Sequence, residues 1–422
     1  MPVTGGFNEV SRSLSGRSWL PYKDPSPDPG GGSFNSWGGS SIIWDPDNGL
    51  FIVSQANAAN GDIYTSPDGK TWTGRFTGLN DFTIAGWRPQ SGPSRPLARG
   101  NGHTLASSSV SPGSISEVAI STDDVHWTWH NMGVFLNVYG ITWDVTNSQW
   151  VAVGADTVVP GPGSHNVATS PDGITWTQRG SFPSAAVGSA PYLSSVAEHG
   201  GHLSAGSYDP TNPAWVSTDG GHTWASVTMP STVNLANIFR IRYLNGRFVA
   251  VGSQVPSGTV GLVMTSSDGF TWIDQAGTSI LVDSLRDIAW ASSLGLWIAV
   301  GRNFDHGTGF PLAYRRVFIS PDLHTWTPIA LIAPGGSTPD VGFNGQSAFL
   351  NGIAWSPAGA MVACGIEFWF GTISPTANIE PPLRQRQRND GLTLGASRVR
   401  SGLNVPTSAQ LGRRVRGPNG YL

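Results

Sequence analysis

One short pattern recurs along most of the chain and restricts its fold more than any other feature. Its fullest copy is Ser217-Thr218-Asp219-Gly220-Gly221-His222-Thr223-Trp224, and shorter copies run from Ser66 to Trp72, Ser121 to Trp127, Ser170 to Trp176, Ser266 to Trp272 and Ser320 to Trp326. The six tryptophans are 55, 49, 48, 48 and 54 residues apart, a period that suits propeller blades rather than paired helices. An Asp followed by Gly makes a tight turn, because the carboxylate accepts nearby backbone N–H groups and Gly takes positive φ without strain. The Thr-Trp that follows starts the outgoing strand, with an indole large enough to cover the gap between two sheets. The candidate structural residues are therefore Asp68 with Trp72, Asp123 with Trp127, Asp172 with Trp176, Asp219 with Trp224, Asp268 with Trp272, and Asp322 with Trp326. Asp124 and Leu323 stand where the other copies have Gly.

A second motif alternates with the first: an apolar strand, a polar turn and another apolar strand. Clear instances are Ile42-Ile43-Trp44 to Val53, Ile141-Thr142-Trp143 to Gly154, Ile241-Arg242-Tyr243 to Gly252, Asp287-Ile288-Ala289-Trp290 to Gly301, and Gly352-Ile353-Ala354-Trp355 to Gly365. Fainter copies lie near 99–107 and 194–206, and turns such as Leu244-Asn245-Gly246-Arg247 read as hairpin reversals. The hairpins outnumber the Ser-x-Asp turns by one. Gly371-Thr372-Ile373-Ser374-Pro375 resembles the lead-in to a seventh turn whose Thr-Trp strand is missing, and an orphan of that type stands at Ser18-Trp19. The expected fold is all-β: a single seven-bladed β-propeller closed by its N-terminal strand, plus an extended C-terminal arm. The expected boundaries are 1–22 for the strand completing the last blade, 23–40 for a loop, 41–375 for the propeller and 376–422 for a basic arm.

The repeated turn resembles the Asp-box (BNR) repeat of sialidase-like β-propellers. In that family the box is a fold element at the blade rim, so the resemblance implies architecture and no particular chemistry. Sialidase catalysis would need three arginines for the substrate carboxylate, a Tyr–Glu pair and an Asp acid. The family's Arg-Ile-Pro signature belongs before the first box, whereas the nearest match here, Phe239-Arg240-Ile241-Arg242, lies in the fifth hairpin and lacks the Pro. Arg240, Arg242, Arg286 and Arg302 can face a central channel and attract anions, or alternate onto blade faces and pair with carboxylates. Among the glutamates only Glu198 sits in a hairpin of the second motif. For other glycosidases, which need two carboxylates, Asp287 and Asp305 remain once Asp45, Asp47 and Asp144 are assigned to turns.

No cofactor or metal is expected. His199 and His202 in a Gly turn are too few to hold an ion. The Gly-rich stretches at 30–32 and 161–163 lack the Lys-Ser/Thr of a phosphate loop. The single cysteine, Cys364, rules out an internal disulfide and lies in an apolar strand. No run approaches 18 apolar residues, so membrane insertion is not expected. Met1 to Gly16 has no apolar core, so no signal peptide is expected.

Charge is uneven along the chain. Residues 376–422 carry Arg384, Arg386, Arg388, Arg398, Arg400, Arg413, Arg414 and Arg416 against Glu380 and Asp390, a net of +6, while the whole chain has −3. Tyr421 is the one aromatic residue in the arm, too few for single-strand stacking, which weighs against nucleic acid. Planar Arg forks suit docking on other subunits, and the arm resembles C-terminal arms of tailed-bacteriophage virion proteins. The expected function is a non-enzymatic virion structural and interaction protein, assembled in the host cytoplasm and anchored to other virion subunits through 376–422. Its loops at 77–101, 155–166, 253–261 and 302–316 would face outward, with a host-surface glycan as the ligand. A glycoside hydrolase or sialidase-like enzyme on the same fold is the alternative. A propeller that helps assemble a membrane complex, as photosystem assembly factors with similar repeats do, ranks third for want of a targeting segment.

Overall fold

A computed structural model describes residues 17–22, 39–55, 63–75, 96–107, 115–134, 136–156, 166–179, 193–233, 236–254, 261–275, 284–302, 315–330, 350–365 and 368–373. Every regular element among them is a β-strand, 28 in all, and the strands group into seven four-stranded antiparallel sheets. Six sheets each use four consecutive strands; in chain order they span 39–75, 97–131, 136–178, 193–226, 236–274 and 284–330. The seventh is composite. Leu350–Trp355, Ala360–Gly365 and Phe368–Ile373 are joined by Arg17–Tyr22 from the other end of the chain, with Trp19 opposite Gly371.

The first strands of these sheets are Gly39–Asp45, Leu97–Gly100, Leu136–Asp144, Leu193–His199, Ala236–Leu244, Ser284–Ala291 and Leu350–Trp355. Each lies beside the first strands of the preceding and following sheets, and the last lies beside the first. These strands form the inner wall of a β-propeller. The expected arm, residues 23–38 of the expected loop and most of the named outer loops fall outside the described residues, while the last two residues of that loop, Gly39 and Ser40, already belong to the first strand of the first sheet.

The repeated turn has one hydrogen-bond pattern in all six copies. In the fullest, the Ser217 hydroxyl donates to Asp219 Oδ1 at 2.8 Å, and the same oxygen accepts the N–H groups of His222 and Thr223 at 3.0 and 2.9 Å. The Trp224 indole N–H donates to the Gly221 carbonyl at 3.1 Å, which pins the ring over the turn. Burial of Asp219 disfavours its charge, but the Thr223 hydroxyl and the N–H donors outweigh that and hold the carboxyl below its usual range. The turn residue ahead of the variable position takes positive φ: 73° at Gly69, 76° at Gly173 and 83° at Gly269, but also 59° at Asp124 and 67° at Leu323.

Packing follows from those indoles. Trp176 joins a core with Val118 and Ile120 of the sheet before it, and Trp224 joins one with Val151, Val153 and Val167. Trp272 and Trp326 repeat the arrangement one sheet on. Trp72, in the first sheet, packs with Ala354 and Val362 of the composite one. The apolar interior is therefore a set of inter-sheet layers, six of them sealed by the turn tryptophan of the later sheet, while the layer between the sixth sheet and the composite one has no such tryptophan among the described residues. At the rim the turn of one sheet docks on a hairpin of the sheet before it. The Gln149 amide donates to the Gly220 carbonyl at 2.9 Å, and the Asn48 amide donates to the Thr122 carbonyl at 3.4 Å. The His202 ring meets the Asp268 carbonyl at 2.9 Å.

The sequence pattern did not reveal a register shift near the start of six of the first strands. The ladder skips one residue between Gly39 and Ser41, Val138 and Gly140, Leu193 and Ser195, Ile238 and Arg240, Leu285 and Asp287, and Leu350 and Gly352. Leu97–Gly100 pairs without one. A bulge of this kind adds an unpaired residue and re-aims the side chains after it. Opposite it stands a glycine in four sheets: Gly154, Gly252, Gly301 and Gly365. A Cβ at Gly154, Gly252 or Gly301 would collide with the carbonyl oxygen of Asn137, Asn237 or Ser284.

Candidate functional site

The bulges bring charged side chains together on the fifth and sixth first strands. Asp287, the residue after the shift in Ser284–Ala291, is fully buried. Its Oδ1 accepts Arg242 Nε at 2.8 Å and the Ile288 N–H at 2.9 Å. Its Oδ2 accepts Arg242 Nη2 at 2.6 Å and the Ile353 N–H at 3.1 Å. Arg240 Nε lies 3.5 Å from Oδ1. One carboxylate thus ties three sheets together through a bidentate arginine and two backbone donors.

Arg240 occupies the equivalent place after the shift in Ala236–Leu244 and is 7% exposed. Burial pulls its guanidinium below its ordinary value, with Arg242 acting the same way and Asp287 opposing. The bulged residue, Phe239, receives the Arg286 guanidinium 4.1 Å from its ring centroid, and its ring lies 5.5 Å from that of Tyr208. Arg286 is also 7% exposed, and burial lowers it likewise. Half-buried Tyr208 has its phenol pushed up to about 12 by burial, while Arg286 and Arg240 pull it back. Both buried guanidiniums therefore act on one phenol. Cys364 is fully buried beside this group, and burial raises its thiol far above the usual range, so it is no nucleophile.

A second charged cluster joins the first and second sheets. Arg99 Nε is 3.2 Å from Asp45 Oδ1, its Nη2 is 3.0 Å from Asp47 Oδ2, and its Nη1 is 4.0 Å from Asp124 Oδ1. The Asn48 amide donates to Asp45 at 2.8 Å and to Asp124 at 3.1 Å. Burial pushes the Asp124 carboxyl up to about 6, assisted by the hydrogen bond and charge of Asp45. Burial also works against the ionisation of Asp45, but hydrogen bonds from Asp124, the Asp47 N–H and Asn48, with the Arg99 charge, hold it low. Of the two carboxyls, Asp124 is the one whose neutral form the surroundings favour.

The other candidates are placed as follows. Asp144 accepts the N–H and side-chain amide of Asn147, at 3.0 and 2.8 Å. Glu198 accepts the Gly201 N–H at 3.0 Å, capping its hairpin. The His199 ring stacks on Tyr243 with centroids 3.7 Å apart, while His202 turns to the Asp268 carbonyl, so the two histidines do not converge. Among the described residues no group of three or more His, Cys, Asp or Glu side chains is placed to hold a metal. The six Asp–Trp pairs of the repeated turn lie at the rim, apart from the Arg240–Asp287 group. The Arg302 side chain, Asp305 and the arm arginines lie outside the described residues. Sequence reasoning picked out Arg240, Arg242, Arg286 and Asp287 singly. It named Phe239 only within the Arg-Ile match and missed Tyr208; the Val251-Gly252 step opposite the bulge at Phe239 was the available signal for the former.

No family model matches the chain, and no curated relative does. Solved structures share the fold. A GH74 xyloglucanase from Xanthomonas campestris is 13% identical with a TM-score of 0.58, covering 86% of this chain and 54% of that one. A streptogramin B lyase is 11% identical with a TM-score of 0.56, covering 86% and 99%. YCF48 bound to D1 peptide is 10% identical with a TM-score of 0.50, covering 89% and 99%. The chain spans about half the length of the xyloglucanase. At these identities the likeness establishes a β-propeller, a fold that these neighbours use both as enzymes and as a peptide-bound protein.

Proposed function

We propose that the chain is a non-catalytic interaction propeller of a virion, with each four-stranded sheet a blade, Arg17–Tyr22 the closing strand and the repeated turns Asp boxes. Residues 376–422 anchor it to neighbouring subunits, and the outer loops face a host-surface glycan. The observation that carries the non-catalytic part concerns the carboxylates of the first strands. Asp45, Asp144, Glu198 and Asp287 are each committed to a turn or an ion pair. A glycosidase needs two carboxyl groups across the scissile bond, one of them free to pass a proton, and these four are held by other partners. The composition of the arm supports the anchoring part, since its planar Arg forks suit docking on another subunit.

Incubation with a panel of fluorogenic glycosides and sialosides tests the first part. No turnover is expected, and turnover abolished by Asp287→Asn would replace this reading with the glycosidase alternative. Removal of 376–422 tests the second. The truncated chain is expected to fold and fail to join its assembly; incorporation of the truncated chain would refute anchoring.

A further inference from the structure

The seam between the first and second sheets has less apolar contact than any other in the ring. Among the described residues its layer holds four buried side chains, Ile52, Ile63, Leu97 and Ala106, and the turn tryptophan that covers it, Trp127, is only half-buried. Every other layer has more buried side chains. Leu97–Gly100 is also the shortest first strand, and it pairs without a bulge. Charged groups stand in for the missing contact. Arg99 of the second sheet pairs with Asp45 at 3.2 Å and with Asp47 at 3.0 Å, and its Nη1 donates to the Thr104 hydroxyl at 3.1 Å. It reaches Asp124 only at 4.0 Å, and Asp124 Oδ1 has no hydrogen-bond partner. Asp45 and Asp124 are both fully buried, and the Asn48 amide donates to both, at 2.8 and 3.1 Å. On the Asp124 turn, Asp123 and His126 pair with each other at 2.7 Å and face solvent. Two buried carboxyls thus bear on one guanidinium that Asp47 already shares, and carboxylates so close disfavour ionising together.

We propose that this seam is a pH-sensitive latch of the ring, closed while Asp124 holds a proton and loosened when Asp124 ionises. A second buried anion needs water or a counter-charge, and the layer beside it has the least apolar area to resist opening. The first and second sheets then part at this seam while the other six seams hold. Burial and Asp45 raise the Asp124 carboxyl to about 6. Because that value lies above the ordinary 3.8, the latch is strongest below that pH, weakens as pH rises toward 6 and stays level beyond. The other repeated turns hold Gly69, Gly173, Gly221, Gly269 or Leu323 at this place, none of which titrates. The latch does not depend on the virion reading, because it is specified by the contacts of two sheets alone.

The test uses the full chain carrying Ala106→Cys, which places a thiol in the seam. Its labelling by a pyridyl disulfide is followed by mass spectrometry of peptides from pH 4 to 7, each rate divided by that of the denatured chain at the same pH. The normalised rate is expected to rise about tenfold per pH unit from pH 4 to 6, a one-proton dependence, and to level off by pH 7. Adding Asp124→Asn, which has no proton to lose, is expected to hold the slow acid rate throughout. Cys364, fully buried in the layer between the composite and first sheets, serves as the internal reference and is expected to label about tenfold or more slower than the seam thiol at pH 7. Leu97→Cys, opposite Ala106 in the ladder, replaces Ala106→Cys if that variant does not fold. A flat profile at the seam thiol overturns the proposal, as does a rise that Asp124→Asn retains. Equal rates at the seam thiol and Cys364 overturn it too, since global unfolding alone would then expose both.

Discussion

The propeller contains two buried charge clusters of opposite imbalance. Between the first and second sheets three carboxylates, Asp45, Asp47 and Asp124, surround one arginine, Arg99. On the fifth and sixth first strands two arginines, Arg240 and Arg242, gather about one carboxylate, Asp287, while Arg286 rests on the Phe239 ring. The acid-rich cluster solves its problem internally, because a buried carboxyl can keep a proton at modest cost, and Asp124 does so with its value raised to about 6. The base-rich cluster has no such exit, since arginine stays charged at any ordinary pH. Excess buried acid can lose its charge by keeping a proton, whereas an arginine has to be answered by the groups around it. That asymmetry makes the first cluster sensitive to pH and the second dependent on Asp287.

The comparison is most severely tested at Asp287. Asp287→Ala leaves Arg240 and Arg242 without their counter-charge and is expected to cost about 3–5 kcal/mol in equilibrium denaturation. A cost below about 1 kcal/mol would mean that the arginines are answered by something else. Next comes Asp124, whose folded value lies above the ordinary 3.8, so its contribution is fully present below that pH and is lost as pH rises toward 6. Asp124→Asn tolerates the positive φ and has no proton to lose. Relative to the parent it is expected to gain up to about 3 kcal/mol between pH 4 and 7. A parent and variant with parallel pH profiles would show that Asp124 is ionised in the fold.

A smaller effect is expected at the bulge that shapes the base-rich cluster. Gly301→Ala puts a Cβ against the Ser284 carbonyl, which should cost about 2 kcal/mol in equilibrium denaturation. An unchanged midpoint would show that the bulge gives way there without cost. The smallest effect belongs to Asn48→Ala, which removes the amide shared by Asp45 and Asp124. A loss of about 1 kcal/mol is expected, with the Asp124 titration moving upward as one of its donors disappears.

What could be read from the sequence was local. A Ser, an Asp and a Trp within seven or eight residues make their own hydrogen bonds, so each turn announces itself without reference to the rest of the chain. The hairpins were legible because their apolar runs and Asn-Gly reversals are contiguous. Asp45 and Asp144 were correctly tied to turns, since Asp45 accepts the Asp47 N–H and Asp144 that of Asn147. The reading stopped where partners are distant. Nothing near Asp45 foretold Arg99 or Asp124, although the Asp in place of Gly at 124 marked that copy as unusual. The bulges were hidden for a different reason: one extra residue in a nine-residue strand alters no composition, yet it decides whether Arg240 and Asp287 meet. The glycines after Val153, Val251 and Val300 recorded that geometry and became readable only beside the carbonyls they admit.

The composite sheet has a consequence for how the molecule comes into being. Arg17–Tyr22 precedes the other six sheets in the chain and Phe368–Ile373 follows them, so the earlier strand meets its partner only after the intervening chain has been made. Six sheets can assemble as their strands emerge, but the circle cannot be latched until its final strand arrives. Loop-closure entropy makes such a distant pairing slow, and until it forms Phe368–Ile373 is the bare edge of the composite sheet.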